Sequence, residues 1–501
     1  MSGGLTMTRY GHALAAGCRQ VYRASALPAT RALRAIGDFL NSMGTARVCV
    51  FAASLLWAVG GARAAIYEIQ PATVDTDEEL ENIANRLQPG DELVLHGGLY
   101  SQNGRRAVTA RGTADRPITI RAADGQAPLL TRPDDNIDRH NNIEFVDCSH
   151  LIVRGLHFKG GSSGVRFIRG DHITFENCEI YGTGNNALTM NSGDCDSFII
   201  RGNHIHHTGL STRGATEGEG MYIGCHNGSC RTTDTLVEGN YIHHLRSTSD
   251  GGNDGIEIKV GSYGNIVRDN VIYDTNIGRK YPGIFVYGGG PGPNIVEGNV
   301  IWRAGEGIQV VSDAVIRNNI IFDCEVTGIT AAPHVAVSRM RNVAIVNNTI
   351  VQCRLGVRIR WANATHMVFS NNAVYCPDST AIDAGGIAGA SFHANYVSGG
   401  LSGAESDDLR FLDGGTAAQA FVGADKNDFW PAAGSKLIDA AEPAFAPECD
   451  FNGAPRQGPF DVGAYESNGR QANPGWRIQT TRKNLTRPPA GDPSHNSRGN
   501  P

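Results

Sequence analysis

The chain has 501 residues, a formal net charge of −6 and 63 glycines. A mildly acidic chain whose repeats contain no run of basic residues lacks the electrostatic footprint of a nucleic-acid-binding protein, so we expect no nucleic-acid partner. The length is sufficient for one large core, and one long domain fits the repeats better than several globular ones. We expect a monomer.

A short apolar segment precedes the repeats. Residues 48–58 read Val-Cys-Val-Phe-Ala-Ala-Ser-Leu-Leu-Trp-Ala, which is too short to span a bilayer. Residues 62–64, Ala-Arg-Ala, fit the small-residue pattern of a signal-peptidase site. The sequence therefore predicts a signal peptide over residues 43–64, with residues 1–42 a mis-called start and no transmembrane segment in the mature chain. We expect an exported protein that is periplasmic, secreted or held at the cell surface.

A phrase of alternating apolar and polar residues that includes Asn recurs between about residues 150 and 376. It reads Phe-Ile-Ile-Arg-Gly-Asn-His-Ile from Phe198 and Asn-Ile-Val-Glu-Gly-Asn-Val-Ile from Asn294. Alternation is strand periodicity, and a long repeat without helices indicates a solenoid. We predict an all-β fold, a right-handed single-stranded parallel β-helix over residues 65–400. Its repeated asparagines, expected to bond from coil to coil, are Asn177, Asn203, Asn240, Asn270, Asn299, Asn319, Asn348 and Asn372.

Both ends of such a solenoid expose strand edges that need a cover. The capping-box sequence Thr-Asp-Glu-Glu at residues 76–79 opens a helix expected to run to about Leu87, so we predict an N-terminal helical cap. Residues 401–466 are predicted to form a C-terminal cap. Residues 467–501, rich in Pro, Gly, Asn and Ser and poor in aliphatic residues, are predicted to be disordered.

Columns of outward side chains carry function in a stacked solenoid, because equivalent residues of successive coils lie about 4.8 Å apart. The second strand of each repeat begins at a Gly, and two outward columns follow it. The three longest inserted loops, residues 208–219, 246–254 and 276–282, flank these columns and predict a binding groove. The first column is Tyr222, Glu257, Phe285, Gln309, Thr330 and Arg358, the second contains Lys259, Tyr287 and Arg360, and Glu219, Asp254 and Glu306 precede the Gly. The predicted substrate contacts are Tyr222, Glu257, Phe285, Gln309, Arg358 and Arg360.

Two histidine pairs occupy equivalent positions in adjacent coils. Four histidines in neighbouring coils could hold a metal ion, although the repeat alone explains their spacing. An aromatic stack is the simpler interpretation of the first column. That column is His206, His243, Tyr273, Trp302 and Phe322; the second, polar column is His207, His244, Asp274, Arg303 and Asp323. Elsewhere, Cys225 and Cys230 bracket a short loop and could form a disulfide in an oxidising compartment.

At Asp254-Gly-Ile-Glu-Ile-Lys259, with Gly264-Asn265 following, the chain resembles the parallel β-helix polysaccharide lyases that cleave alginate and chondroitin-type chains. The resemblance implies that Lys259 is the base. It also implies that Asp254, with Glu219 as a second ligand, holds Ca²⁺ that neutralises the sugar carboxylate. These lyases carry an arginine one coil later, where this chain has Gly-Ile-Phe-Val-Tyr-Gly-Gly with Tyr287 roughly at the arginine position.

A lyase acting on a uronic-acid chain is the first of three functional hypotheses. It requires a base, a positive charge on the substrate carboxylate and an acid for the leaving oxygen. Lys259 would be the base, provided that its surroundings lower its pKa, and calcium on Asp254 and Glu219 would be the charge. Tyr287 or His244 would be the acid. The expected partner is an anionic polysaccharide.

Two other functions remain open from the sequence. A glycoside hydrolase would use paired carboxylates, such as Glu219 with Asp254 or Glu257 with Glu306. A non-catalytic protein would instead bind a glycan in the same groove through its exposed aromatic side chains. Absorbance from an unsaturated sugar marks the lyase, reducing ends without that absorbance mark the hydrolase, and a binding protein produces neither.

Overall fold

The computed structural model describes residues 64–71, 76–133, 137–337, 339–403 and 411–483. The predictions of a mis-called start and of a signal peptide up to residue 63 lie outside these ranges. The described residues from Ala65 onward form one compact unit. Within the described ranges, no helix is both long enough and apolar enough to cross a membrane.

Short strands stack into three parallel sheets, because each coil of the unit contributes one strand to each sheet in turn. The first sheet contains Ile66–Ile69, Glu92–Leu95, Ile118–Ala122, Ile199–Arg201, Leu236–Glu238, Ile266–Arg268, Asn294–Glu297, Ala314–Arg317, Arg341–Val346, Thr365–Ser370 and Ser391–His393. The second contains Gly98–Ser101, Pro128–Thr131, His157–Lys159, Glu179–Tyr181, His204–His206, Tyr241–His243, Val271–Tyr273, Val300–Trp302, Ile320–Phe322, Thr349–Val351 and Phe411–Asp413. The third contains Ala107–Val108, Leu188–Met190, Met221–Ile223, Ile256–Ile258, Pro282–Val286, Glu306–Val310, Thr327–Ala331 and Leu355–Arg360.

Four longer strands turn a corner and join two sheets. Ile143–Arg154 and Val165–Glu176 belong to the third sheet and then the first, whereas Ala373–Gly385 and Asn395–Ser402 belong to the second and then the third. The pair Cys195–Asp196 and Thr232–Thr233 lies at a corner. The remaining elements are the helices Thr76–Ala84 and Ala417–Ala420, the 3₁₀ turns Ala424–Lys426 and Pro443–Phe445, and the antiparallel pair Phe421–Gly423 and Asp428–Pro431.

The interior is filled by the apolar half of each alternating strand. In the first sheet the stacked inward residues include Ile200, Val237, Val267, Val296 and Ile316, each with no exposed surface. Alternate residues of a strand point to opposite faces, so the polar half faces outward. The prediction of a parallel β-helix is confirmed.

An asparagine ladder runs along one corner of the helix. The Asn270 side-chain amide donates to Asn299 Oδ1 at 2.9 Å, and the Asn299 amide donates to Asn319 Oδ1 at 3.0 Å. The ladder begins at Asn203 and continues to Asn395. Asn177, predicted to belong to it, does not: it is exposed at a left-handed corner with φ 53°. Cys178 takes the inner position, and its backbone N–H donates to Asn203 Oδ1.

The N-terminal helix, Thr76–Ala84, covers the start of the core. Leu80, Ala84 and Leu87 are buried in the same apolar cluster as the inward residues of the first strands. The predicted N-terminal helical cap is confirmed, with a helix that ends three residues before Leu87.

The C-terminal segment covers the outward face of the second sheet. From Val271 onward that face is apolar, and Trp302 and Phe322 form a second core with Phe429 and Trp430. Arg456, which has no exposed side-chain surface, pins the segment by donating to Asn318 Oδ1 at the first-to-second-sheet corner. The predicted C-terminal cap therefore packs against the side of the solenoid. It covers an apolar sheet face that would otherwise be exposed to water.

The predicted disordered tail is wrong for residues 467–483. Trp476 is buried in the second core, and Lys483 is buried with its Nζ 2.6 Å from Asp269 Oδ1. Low aliphatic content indicated disorder, but one aromatic anchor and one buried ion pair hold this stretch on the helix. The rest of the predicted tail, residues 484–501, lies outside the described residues.

Candidate functional site

The candidate site lies on the outward face of the third sheet. Strand pairing places Tyr222 beside Glu257, and Glu257 beside Phe285, as the repeat predicted. Glycine precedes these strands because neighbouring backbones approach closely: a Cβ at Gly255 would lie 2.4 Å from the Gly283 carbonyl oxygen. The glycine column thereby sets the stacking from which the outward side chains project.

A buried ion pair lies at the centre of the site. The Lys259 ammonium donates a hydrogen bond to Glu257 Oε1, and the two side chains are only 5% and 3% exposed. The same ammonium lies 4.1 Å from the ring centroid of Tyr222 and 5.2 Å from that of Tyr287. Two aromatic faces and one carboxylate therefore surround a single cation.

Three buried carboxyl groups converge beside this ion pair. Glu219, Asp254 and Glu257 each bring one oxygen within 4.8 Å of the others, and all three are at most 3% exposed. Each also keeps one oxygen without a hydrogen-bond partner: Glu219 Oε2, Asp254 Oδ1 and Glu257 Oε2. Burial raises the pKa of all three groups; neighbouring negative charges add to this rise for Glu219 and Asp254, whereas the charge of Lys259 opposes it for Glu257. Among the described residues, Lys259 is the only lysine or arginine that forms an ion pair with one of these three carboxyl groups.

This donor set fits a hard divalent cation. Calcium binds six to eight oxygens from carboxylates, carbonyl groups and water, and this cluster offers three carboxyl groups. The predicted ligands Glu219 and Asp254 lie together as expected, and Glu257 joins them. Such an ion would supply the positive charge that three buried carboxylates require.

The pKa of Lys259 does not move in the direction that a base requires. Burial alone would lower it, but the charges of Glu257 and Tyr222 and the hydrogen bond to Glu257 outweigh burial and raise it. Burial, with the charges of Glu257 and Asp254, also raises the pKa of Tyr287. Lys259 is therefore a cation in this arrangement, and Tyr287 keeps its proton.

An aromatic wall borders the ion pair. The rings of Phe285 and Tyr287 stack with centroids 4.1 Å apart, and His334 packs edge-on against Tyr287 at 4.8 Å. His226 contacts the Tyr287 ring edge-on from the loop that the Cys225–Cys230 disulfide closes. The predicted disulfide between Cys225 and Cys230 is therefore confirmed. Neither histidine could be predicted from the repeat, because both lie in loops outside it; only the cysteines on either side of His226 pointed to one of these loops.

Side chains connect the inserted loops to one another at the edge of the third sheet where its strands begin. Tyr281 donates its hydroxyl to the Asp250 carbonyl, and Arg279 pairs with the Asp250 side chain at 3.0 Å. Lys280 pairs with Glu325 at 2.6 Å. Loops 246–254 and 276–282 therefore form one cross-braced rim beside the carboxylate cluster.

The remaining predicted substrate contacts lie further along the same face. Gln309 is beside Phe285, whereas Arg358 is four strands from Glu257, a separation of about 19 Å at 4.8 Å per strand. Arg358 and Arg360 both pair with Asp383, at 3.5 and 2.6 Å. These arginines can contact a long chain but not the atoms beside Lys259.

His244, predicted as an alternative acid, lies elsewhere. It follows strand Tyr241–His243 of the second sheet, stacks on His207 at 4.9 Å and lies 3.7 Å from Asp274. The side chains around Lys259 project from the third sheet, so His244 is not part of the candidate site. The predicted aromatic stack is confirmed: ring pairs from His206 through His243, Tyr273 and Trp302 to Phe322 are stacked at 4.6–5.5 Å.

Comparison with known proteins agrees with the fold. The family model described as "right handed beta helix region" matches residues 141–314 and 232–374, which confirms the predicted handedness. None of the curated proteins matches.

Solved structures with the same architecture are distant in sequence. A structure of XylC with xylose is 10% identical, covers 80% of this chain and 98% of its own, and has a TM-score of 0.54. The pectate lyase Pel9A is 15% identical, covers 81% and 97%, and has a TM-score of 0.51. An alginate lyase from Paenibacillus sp. str. FPU-7 is 21% identical, covers 60% and 97%, and has a TM-score of 0.44. At these identities the likeness shows the fold alone.

Proposed function

We propose that the mature chain, beginning at Ala65, is an exported polysaccharide lyase that cleaves a uronic-acid-containing glycan by β-elimination. The observation that carries the proposal is the cluster of Glu219, Asp254 and Glu257, with its unpartnered oxygens, directly beside Lys259 on an outward sheet face. A pectate lyase shares this fold, which makes the activity compatible with the architecture.

The net charge of the cluster suits an anionic substrate only when a calcium ion is bound. Three carboxylates and one ammonium sum to a negative charge that would repel a uronate. A calcium ion held by Glu219 and Asp254 would attract the substrate carboxylate and offset the negative charge that holds the proton on Lys259. The cluster would then be complementary to a uronate and not to a neutral sugar.

In the proposed reaction one side chain accepts a proton from the sugar and another donates a proton to the leaving group. Unprotonated Lys259 takes the proton from the carbon that bears the carboxylate, and the released electron pair forms a carbon–carbon double bond as the bond to the glycosidic oxygen breaks. Tyr287, which is protonated, donates its proton to that leaving oxygen. Tyr222, which is partly exposed, would present an aromatic face to a sugar ring.

The test follows absorbance of the unsaturated uronide on alginate, pectate and chondroitin-type chains, with calcium and then with chelator. We expect a calcium-dependent rise that Lys259→Ala abolishes and that Lys436→Ala preserves. Lys436 is the matched control because it is an exposed lysine paired with Asp413 in the C-terminal segment. A flat trace on every uronan would remove the proposal.

A glycoside hydrolase is the second candidate, because burial and neighbouring charge raise the pKa of Glu219 and Asp254, as a general acid requires. Their close approach to Glu257 resembles the separation of about 5 Å between the carboxyls of retaining enzymes. Reducing ends formed without ultraviolet absorbance would favour this reaction. Binding without cleavage would instead indicate a glycan-binding protein that uses the aromatic wall.

A further inference from the structure

A second cluster of chemically capable side chains lies on a different face, the outward side of the second sheet. Glu179 is in register with His157 on one neighbouring strand and with His204 on the other. His206, two residues along, reaches the same carboxylate. Three successive coils thus bring three imidazoles to one carboxyl group.

The donor atoms have the spacing of a metal site. Glu179 Oε1 lies 3.1 Å from His204 Nδ1 and 3.1 Å from His206 Nε2, and Glu179 Oε2 lies 2.9 Å from His157 Nδ1. Ligands bound at about 2.1 Å in a tetrahedron lie roughly 3.4 Å from each other. Small side-chain movements would therefore convert these contacts into metal bonds.

The opposite ring nitrogens of two of these histidines are already held. His204 Nε2 lies 2.9 Å from His243 Nε2, and His206 Nδ1 lies 2.7 Å from His207 Nδ1. Such outer contacts select the tautomer and orient the ring of a metal-binding histidine. His207 and His243 lie outside the cluster and hold the rings of His206 and His204 so that His206 Nε2 and His204 Nδ1 face Glu179.

The cluster is open to solvent on one side. The side chains of Glu179, His204 and His206 are 25%, 28% and 14% exposed, so an ion can enter without unfolding. Arg482 of the C-terminal segment also interacts with the charge of Glu179. The ring faces of Tyr181 and Tyr241 flank the site.

We propose that Glu179, His204 and His206 bind a divalent transition-metal ion of the zinc class, with His157 within reach as a fourth ligand. Imidazole nitrogens with one carboxylate suit zinc, cobalt, nickel and copper, whereas calcium requires oxygen ligands. The site is therefore chemically separate from the carboxylate cluster of the third sheet. A bound ion would cross-link two successive coils through Glu179, His204 and His206 and a third coil through His157.

The test uses the mature chain without an affinity tag. Isothermal titration with Zn²⁺ should show one site with a submicromolar Kd, and Co²⁺ should give the visible absorption of a tetrahedral complex. Zinc should raise the Tm, because an ion that binds only the folded state stabilises it. Calcium should neither compete for the site nor produce the spectrum.

Variants identify the ligands. His204→Ala and Glu179→Gln should each weaken zinc binding by about 100-fold or more, since losing outer contacts alone costs 10- to 100-fold. His172→Ala is the matched control, because His172 belongs to a different group with His150 and Asp171. The titration and spectrum of the unaltered chain do not depend on whether the variants fold.

Three results would overturn this assignment: a Kd above about 100 μM, several equivalent weak sites, or affinity that follows His172 in place of His204. Each would show that the imidazoles serve only as partners of Glu179. None of these readouts involves glycan cleavage, so the zinc site and the proposed lyase can fail independently.

Discussion

Lys259 and Glu257 form an ion pair that is almost wholly buried although both residues lie on the outward face of a sheet. Their burial arises from what surrounds them, the rings of Tyr222 and Tyr287 and the two further carboxyl groups. The proposed lyase chemistry depends on this enclosed ion pair.

Breaking this pair from one side should destabilise the protein. Lys259→Met leaves Glu257 buried beside Glu219 and Asp254 without a counter-charge, and we expect a loss of about 3 kcal/mol in the free energy of unfolding. The double variant Lys259→Met/Glu257→Gln should recover most of that loss. Denaturant unfolding in chelator measures both; equal losses in the single and double variants would contradict the pairing.

Tyr287→Phe should separate catalysis from binding. The variant keeps the ring that stacks on Phe285 but removes the hydroxyl proposed to protonate the leaving oxygen. We expect kcat to fall by about 10²- to 10⁴-fold with little change in KM. Tyr281→Phe, at the loop rim, is the comparison variant. A Tyr287→Phe enzyme with normal kcat would assign the acid role to another group.

Asp254→Asn should stabilise the protein in chelator but reduce the stability that the protein gains from calcium. In chelator, Asp254→Asn should raise the Tm above that of the unaltered chain, because it removes one of several mutually repelling buried charges. With calcium, the unaltered chain should gain stability and the variant should gain much less. Thermal unfolding with and without calcium measures the difference; identical shifts in both proteins would place calcium elsewhere.

The asparagine ladder should be sensitive to a single substitution. Asn299→Ala removes the acceptor of the Asn270 amide and the donor to Asn319, leaving buried polar groups unpaired. At about 1–3 kcal/mol for each unsatisfied group, we expect a total loss of at least about 3 kcal/mol. Asn177→Gly, at an exposed left-handed corner, should change stability by less than about 0.5 kcal/mol. Similar losses in both would argue against the ladder.

Thiol labelling should distinguish the buried cysteines from the others. Burial raises the pKa of Cys148 to about 11 and that of Cys178 to about 12, so at pH 8 only about one thiol in a thousand at Cys148 is ionised. Cys449 is partly exposed and should react first in the native mature chain. Raising the pH from 8 to 9 should leave the buried thiols unreactive. Fast labelling of Cys148 in folded protein would contradict its burial.

The amino-acid sequence alone determined the architecture and the order of its columns of side chains. Strand alternation and repeat spacing can be read from the sequence, and once the coils stack they fix which residues are neighbours. Tyr222, Glu257 and Phe285 are neighbours for this reason, and the approach of Glu219 and Asp254 follows from the same register. Asn177 shows the limit of that reasoning: a shift of one residue moves a side chain from the ladder to solvent.

Only the tertiary structure decided what surrounds those columns. Whether Lys259 is solvated or buried depends on rings and loops from other coils, and its pKa depends on the distance to Glu257. His334 reaches the site from a loop that has no periodicity to reveal it. The apolar row from Val271 also required a partner that periodicity could not identify, and the C-terminal segment fills that role. Repeats specify contacts between equivalent positions, whereas contacts between non-equivalent segments arise only when the chain packs.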